Sequence, residues 1–63
     1  MLVLTRRLSE TVRIFLPDGE HIDITIVDLD RNRARIGIKA DRRILIYRTE
    51  LLVDGAPPPV RIP

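Results

Sequence analysis

A chain of 63 residues has room for one domain with a marginal core, since a domain this small buries only about 60% of its unfolded surface. With no cysteine and a single histidine, disulfides and a structural metal are closed as compensations, which leaves association with a second copy and fits a cytoplasmic protein. Net charge is only +2, but ten of the eleven basic residues are arginine, and the nine acids interspersed among them favour a local basic patch over a general one.

In chain order, Met1 to Leu4 reads as a strand in which Leu2 and Leu4 alternate with Val3 and Thr5, running straight into Arg6 and Arg7. Val12, Ile14 and Leu16 alternate with Thr11, Arg13 and Phe15 in a second strand. Pro17-Asp18-Gly19 then supplies a turn: proline presets φ, aspartate caps locally and glycine takes φ > 0. Ile22, Ile24 and Ile26 alternate with His21, Asp23 and Thr25, the clearest half-buried strand in the chain. "DLDRNR" reads as a polar connection with Asn32 in a left-handed position. Ala34, Ile36 and Ile38 alternate with Arg33, Arg35, Gly37 and Lys39. After "ADRR", Ile44 to Tyr47 is apolar on both faces and reads as a strand buried on both sides. "TELLVD" offers a turn or two of helix with Thr49 as a weak N-cap and Gly55 as its stop. "APPPVRIP" is expected to be extended polyproline or disordered.

The reading is therefore an all-β, five-stranded chain with at most a short C-terminal helix. Residues 1–53 form the domain and 54–63 a Pro-rich tail. The first and last strands are the most apolar, so leaving them as free edges invites aggregation. Pairing them with strands of a second copy, in a strand-exchanged homodimer, is the economical solution. No apolar stretch is long enough for a membrane span, and the N-terminus lacks the order of a signal peptide.

Catalysis finds little to work with. The nucleophiles available are Ser9, the threonines and Tyr47, and His21 reads as a solvated strand residue beside Asp23. Neither a metal-ligand cluster nor a phosphate loop is present, so no enzyme and no cofactor is expected. Arginine richness has a bland source in a GC-rich genome, but the guanidinium fork also matches phosphates and guanine edges. With only Phe15 and Tyr47 aromatic, a base-stacking platform is lacking, and no helix is long enough to read a DNA groove. Unpaired bases in an RNA loop, read by arginines and backbone edges, are the natural target.

The segments "LVLTRRLSETV", "VRIFL", "RARIGIKA" and "ILIYRTEL" together resemble the carbon storage regulator family (CsrA/RsmA), small bacterial RNA-binding regulators of translation, over roughly residues 1 to 53. The resemblance implies an intertwined five-stranded homodimer whose first and last strands pair into the partner's sheet. It implies binding of GGA in RNA hairpin loops of mRNA leaders, with occlusion of the ribosome-binding site. By motif, Leu4, Arg6 and Arg7 of the first strand and Arg48, closing the fifth strand of the other chain, are its key positions. Thr5, Glu10 and Glu50 match further contacts, and the connection Lys39, Ala40, Asp41 and Arg42 matches a loop whose backbone reads the bases. Antagonist small RNAs and a protein antagonist are further candidate partners.

The chain departs from the family pattern in several places. Ser9 stands where glycine is common, Asp41 where proline is common and Tyr47 where histidine is common. A few extra residues around Leu16 to Gly19 lengthen a hairpin, and the tail meets Gly55 and three prolines where the family continues as a helix. Outside the matched positions the residues read blandly. Arg31, Arg33, Arg35, Arg42 and Arg43 read as a solvated face with phosphate steering as a secondary role, and Phe15 as packing. Two rival functions stand beside RNA binding: a protein-interaction module of this family fold with weakened RNA binding, and a small swapped-strand DNA-binding dimer.

Overall fold

The computed structural model describes residues 1–58, so the end of the Pro-rich tail, residues 59–63, lies outside the described residues. Three antiparallel strands form one sheet in the order β1-β2-β3: β1 Thr11–Phe15, β2 His21–Asp30 and β3 Arg33–Lys39. The alternation of the sequence explains the register. Val12 lies opposite Ile24, Ile14 opposite Ile22, Ile24 opposite Ile38 and Ile26 opposite Ile36, so one face is a continuous aliphatic surface. The other face is polar, with the Thr11 and Thr25 hydroxyls 2.8 Å apart and Arg13 gripping Asp23 through two hydrogen bonds of 2.8 and 3.1 Å.

The first hairpin closes as its sequence suggests. The Leu16 N–H donates to the Glu20 carbonyl at 2.7 Å, Gly19 takes φ +92°, and the Asp18 carboxylate accepts the Glu20 N–H at 2.9 Å. The second hairpin corrects the expectation of a polar connection over "DLDRNR". β2 runs ten residues to Asp30, and only Arg31 and Asn32 connect it to β3. Arg31, not Asn32, takes the left-handed conformation, with φ +41°. A two-residue hairpin with positive φ at its first central residue follows the right-handed strand twist, and that position falls on Arg31.

A bulge at Val27 makes the longer strand possible. The register slips between Ile26 and Asp28, which returns Leu29 to the aliphatic face opposite Ala34 although its spacing from Ile26 is odd. The bulge also swings Val27 over Gly37. A Cβ at Gly37 would lie 2.9 Å from the Val27 methyl, so any larger residue there must push Val27 aside.

The flanks differ from the sequence reading. Residues 1–5 and 44–47, expected as the first and fifth strands, belong to no ladder in the single chain. The apolar stretch after β3 ends in one 3-10 turn, Thr49–Leu51, capped by Arg48 without a side-chain bond, so Thr49 is not its N-cap. Asp54 and Gly55 then turn the chain with positive φ, and Val53 and Ala56 exchange backbone hydrogen bonds.

Among the described residues none is buried. Ile36 of the aliphatic face is 55% exposed and Leu2 of the N-terminal arm 82%. Every 100 Å² of apolar surface left in water forfeits about 2.5 kcal/mol, so this face lacks its cover in the single chain. No helix of the described residues is long and apolar enough to cross a membrane.

Candidate functional site

The N-terminal arm leaves the sheet through a β-turn, Arg7-Leu8-Ser9-Glu10, closed by the Glu10 N–H donating to the Arg7 carbonyl at 3.1 Å. Ser9 occupies its third position with φ +70°, where type II turns call for glycine. The turn is pinned to β2 by the Ser9 N–H on the Ile26 carbonyl at 2.8 Å. The Glu10 carboxylate accepts the Arg7 N–H at 2.7 Å and lies 3.7 Å from the Arg6 guanidinium. Glu10 thus both caps the turn and pairs an arginine. Its first task here is to aim the arm.

Beyond the turn, Leu2, Leu4 and Arg6 flank an open groove of about 570 Å³ against Val12, Ile14, Ile24 and Ile26. The alternation expected of the arm therefore survives as one side turned toward the aliphatic face, without a ladder. Arg6 Nε folds back onto the Thr5 carbonyl at 2.8 Å.

The connection after β3 lies at the other hairpin's door. Lys39, Ala40 and Asp41 line a small cleft with Glu20 and His21. Asp41 opens a turn in which the Ile44 N–H donates to its carbonyl at 3.0 Å, and its carboxylate accepts both the Arg43 N–H at 2.8 Å and Arg43 Nε at 2.9 Å. These bonds, the backbone one first, hold the Asp41 carboxyl below its ordinary pKa. Arg43 Nη2 also donates to Glu20 Oε1. Glu20 and Arg43 were not singled out from the sequence as site residues. Asp41-x-Arg43 is the spacing of an aspartate turn and was readable, whereas the pairing with Glu20 exists only once the hairpin has formed.

Arg48 sits at the opposite end of β3, bordering a cavity of about 790 Å³ with Asp28, Asp30, Arg33, Ala34 and Arg35. Its Nε donates to Glu50 at 2.6 Å. Glu50's own backbone N–H, then Arg48, lower the Glu50 pKa. The three groups of expected contact residues therefore stand at three places in one chain: the arm beside Ile26, the connection beside Glu20, and Arg48 beside Arg33. On the polar face His21 Nε2 is 4.0 Å from Asp23 and packs edge-on to Phe15. Phe15, expected as packing, is 71% exposed there.

Fold and site define a small β protein whose three-stranded sheet is open at both edges and carries charged groups on its strands, its hairpins and its two flanks. The family model of CsrA, described as a global regulator protein family, matches residues 1–55, and the chain belongs to that family. The translational regulator CsrA of Oceanobacillus iheyensis is 41% identical over 54 residues, covering 86% of this chain and 68% of its own. That of Hydrogenovibrio crunogenus is 43% identical over 55 residues, covering 87% and 73%. That of Ruminiclostridium cellulolyticum is 37% identical over 54 residues, covering 86% and 69%. No solved structure matches the chain.

Proposed function

We propose that the protein is an RNA-binding translational regulator, cytoplasmic, acting as a strand-exchanged homodimer through residues 1–53. In this reading it binds GGA in hairpin loops of mRNA leaders and represses translation by covering the ribosome-binding site. Family membership and the relatives' printed function support the regulatory role.

The observation that carries the assembly is the open sheet. The Glu10 carbonyl accepts the Ile26 N–H and the Leu16 N–H reaches the Glu20 carbonyl, so by antiparallel alternation Thr11, Arg13 and Phe15 direct their backbone groups to an empty edge; Ile36 and Ile38 do the same on β3. Each chain thus has two open edges and two apolar segments without a ladder, 1–5 and 44–47. Two chains have four of each, and exchange satisfies all of them while covering the aliphatic faces. The exchanged segments end in Arg6-Arg7 and in Arg48, so each composite site draws the arginines of one arm and the late arginine of the other chain. Leu4 and Thr5 position the arm, Glu10 aims it, Glu50 orients Arg48, and the 39–42 backbone offers polar groups to unpaired bases.

The test is titration of the protein with a GGA-loop RNA hairpin, its GCA variant and a DNA duplex at one fixed salt. Preference for the GGA hairpin by tenfold or more is expected. Equal weak binding to both hairpins would favour a protein-interaction module, and preference for duplex a DNA-binding dimer.

A further inference from the structure

The connection after β3 has one feature that neither the alternation nor the proposed contacts require: Arg43 bridges two carboxylates that belong to different parts of the chain. Asp41, two residues back, takes its N–H and Nε, and Glu20, at the end of the β1–β2 hairpin, takes its Nη2. The Glu20 backbone is held on both sides, its N–H donating to Asp18 and its carbonyl accepting the Leu16 N–H. The connection has no ladder of its own, and the Glu20 contact ties its Asp41–Ile44 turn to the neighbouring hairpin.

We propose that Arg43 and Glu20 form a latch that holds the 39–42 connection in its RNA-binding shape, which makes Arg43 a positioning residue and not a phosphate contact. This rests on the proposed role of that connection in RNA binding. An exposed ion pair contributes about 0–1 kcal/mol to global stability, so the latch acts on local opening of the connection and leaves the fold alone. Its effect on binding is preorganisation: a loop already ordered does not pay for its ordering when RNA arrives. A guanidinium paired with two carboxylates is also a weaker ligand for phosphate, because the acids offset its charge and take two of its five N–H donors.

The experiment compares wild type, Arg43→Ala, Glu20→Ala and the double variant in two arms. Without RNA, amide exchange at Ile44, whose N–H bonds Asp41, is expected to quicken severalfold in each variant while the melting temperature moves little. With the GGA hairpin, Arg43→Ala is expected to weaken binding about 5- to 10-fold and Glu20→Ala about 3-fold. The double variant should bind no worse than Arg43→Ala, with the salt dependence unchanged because no phosphate contact is lost. Unchanged Ile44 exchange would overturn the latch. So would tighter binding by Glu20→Ala together with a shallower salt slope for Arg43→Ala, the pattern of a phosphate contact released from its restraint. A wild type that ignores the hairpin would refute the proposed function, while the exchange arm would still decide the latch.

Discussion

The three-stranded sheet and the segments that flank it follow different rules. Within the sheet, every residue of β1 finds its partner on β2, and the hairpins are closed by Asp18 and Gly19 and by Arg31 and Asn32. The flanks are as apolar as the strands, yet residues 1–5 and 44–47 enter no ladder. Local pattern suffices for an element whose neighbours come next in sequence. An element whose neighbour lies on another chain needs that chain before its pattern means anything. In the proposed reading the recognition groups sit on the second kind of element, so folding, assembly and binding are expected to be one linked equilibrium.

The sharpest way to break the comparison is to damage the face that both regions share. Ile24 lies at its centre, between Val12 and Ile38, and Ile24→Ala is expected to cost about 2–4 kcal/mol per chain and to shift the population toward unfolded monomer. Denaturant melts at two protein concentrations would show it, and a cost near zero would mean the face stays wet in the native state.

A change confined to the sheet comes next. Gly37→Ala should cost about 1–3 kcal/mol, because its methyl meets Val27 at 2.9 Å. Pairing it with Val27→Ala should recover part of the loss in a double-mutant cycle, and simple additivity would mean the clash is relieved elsewhere.

Arg48→Ala tests the flanks without touching the sheet. It removes no apolar surface, so the melting curve should hold, while hairpin affinity falls about 10- to 100-fold. Arg33→Ala, at the end of β3 with Asp30 beside it, should cost less than about threefold. Equal small losses for both arginines would place the binding site elsewhere.

Ser9→Gly should move the other way. Ser9 holds φ +70° at the root of the arm, and glycine there is expected to stabilise the protein by roughly 0.5–1 kcal/mol, read as a rise in melting temperature. A fall would mean that the serine hydroxyl matters more than its backbone strain.

The smallest effect is that of acid. Asp41 and Glu50 are lowered from ordinary values of 3.8 and 4.5, so the stability they lend is present above those values and disappears as pH falls through their lowered folded values. Carboxyl NMR shifts should titrate below the ordinary values in the folded protein. Titration at or above them would separate both carboxylates from their arginines in solution.

Much of the sheet was legible because period-two alternation is a local property, and Pro17-Asp18-Gly19 carries its turn chemistry on its face. The second hairpin was misplaced for a physical reason. A bulge reverses the alternation after Ile26, so Asp28 and Asp30 looked like the start of a connection, and Arg31 rather than Asn32 took the left-handed position. In the site, Glu10 was legible only as a matched contact position, and its pairing with Arg6 depends on the turn at Arg7 to Glu10. The Glu20–Arg43 pair was not readable, since 23 residues separate the two and only the closed hairpin joins them.

Everything that places Arg6, Arg7 and Arg48 in one site depends on two chains sharing one fold. Sedimentation equilibrium of the folded protein at micromolar concentration, with folding verified by circular dichroism in the same buffer, addresses this most directly. A single species of twice 7.3 kDa is expected, with a melting temperature that rises with concentration. A folded species of 7.3 kDa whose melting temperature ignores concentration would contradict the exchange of strands and the composite site built on it.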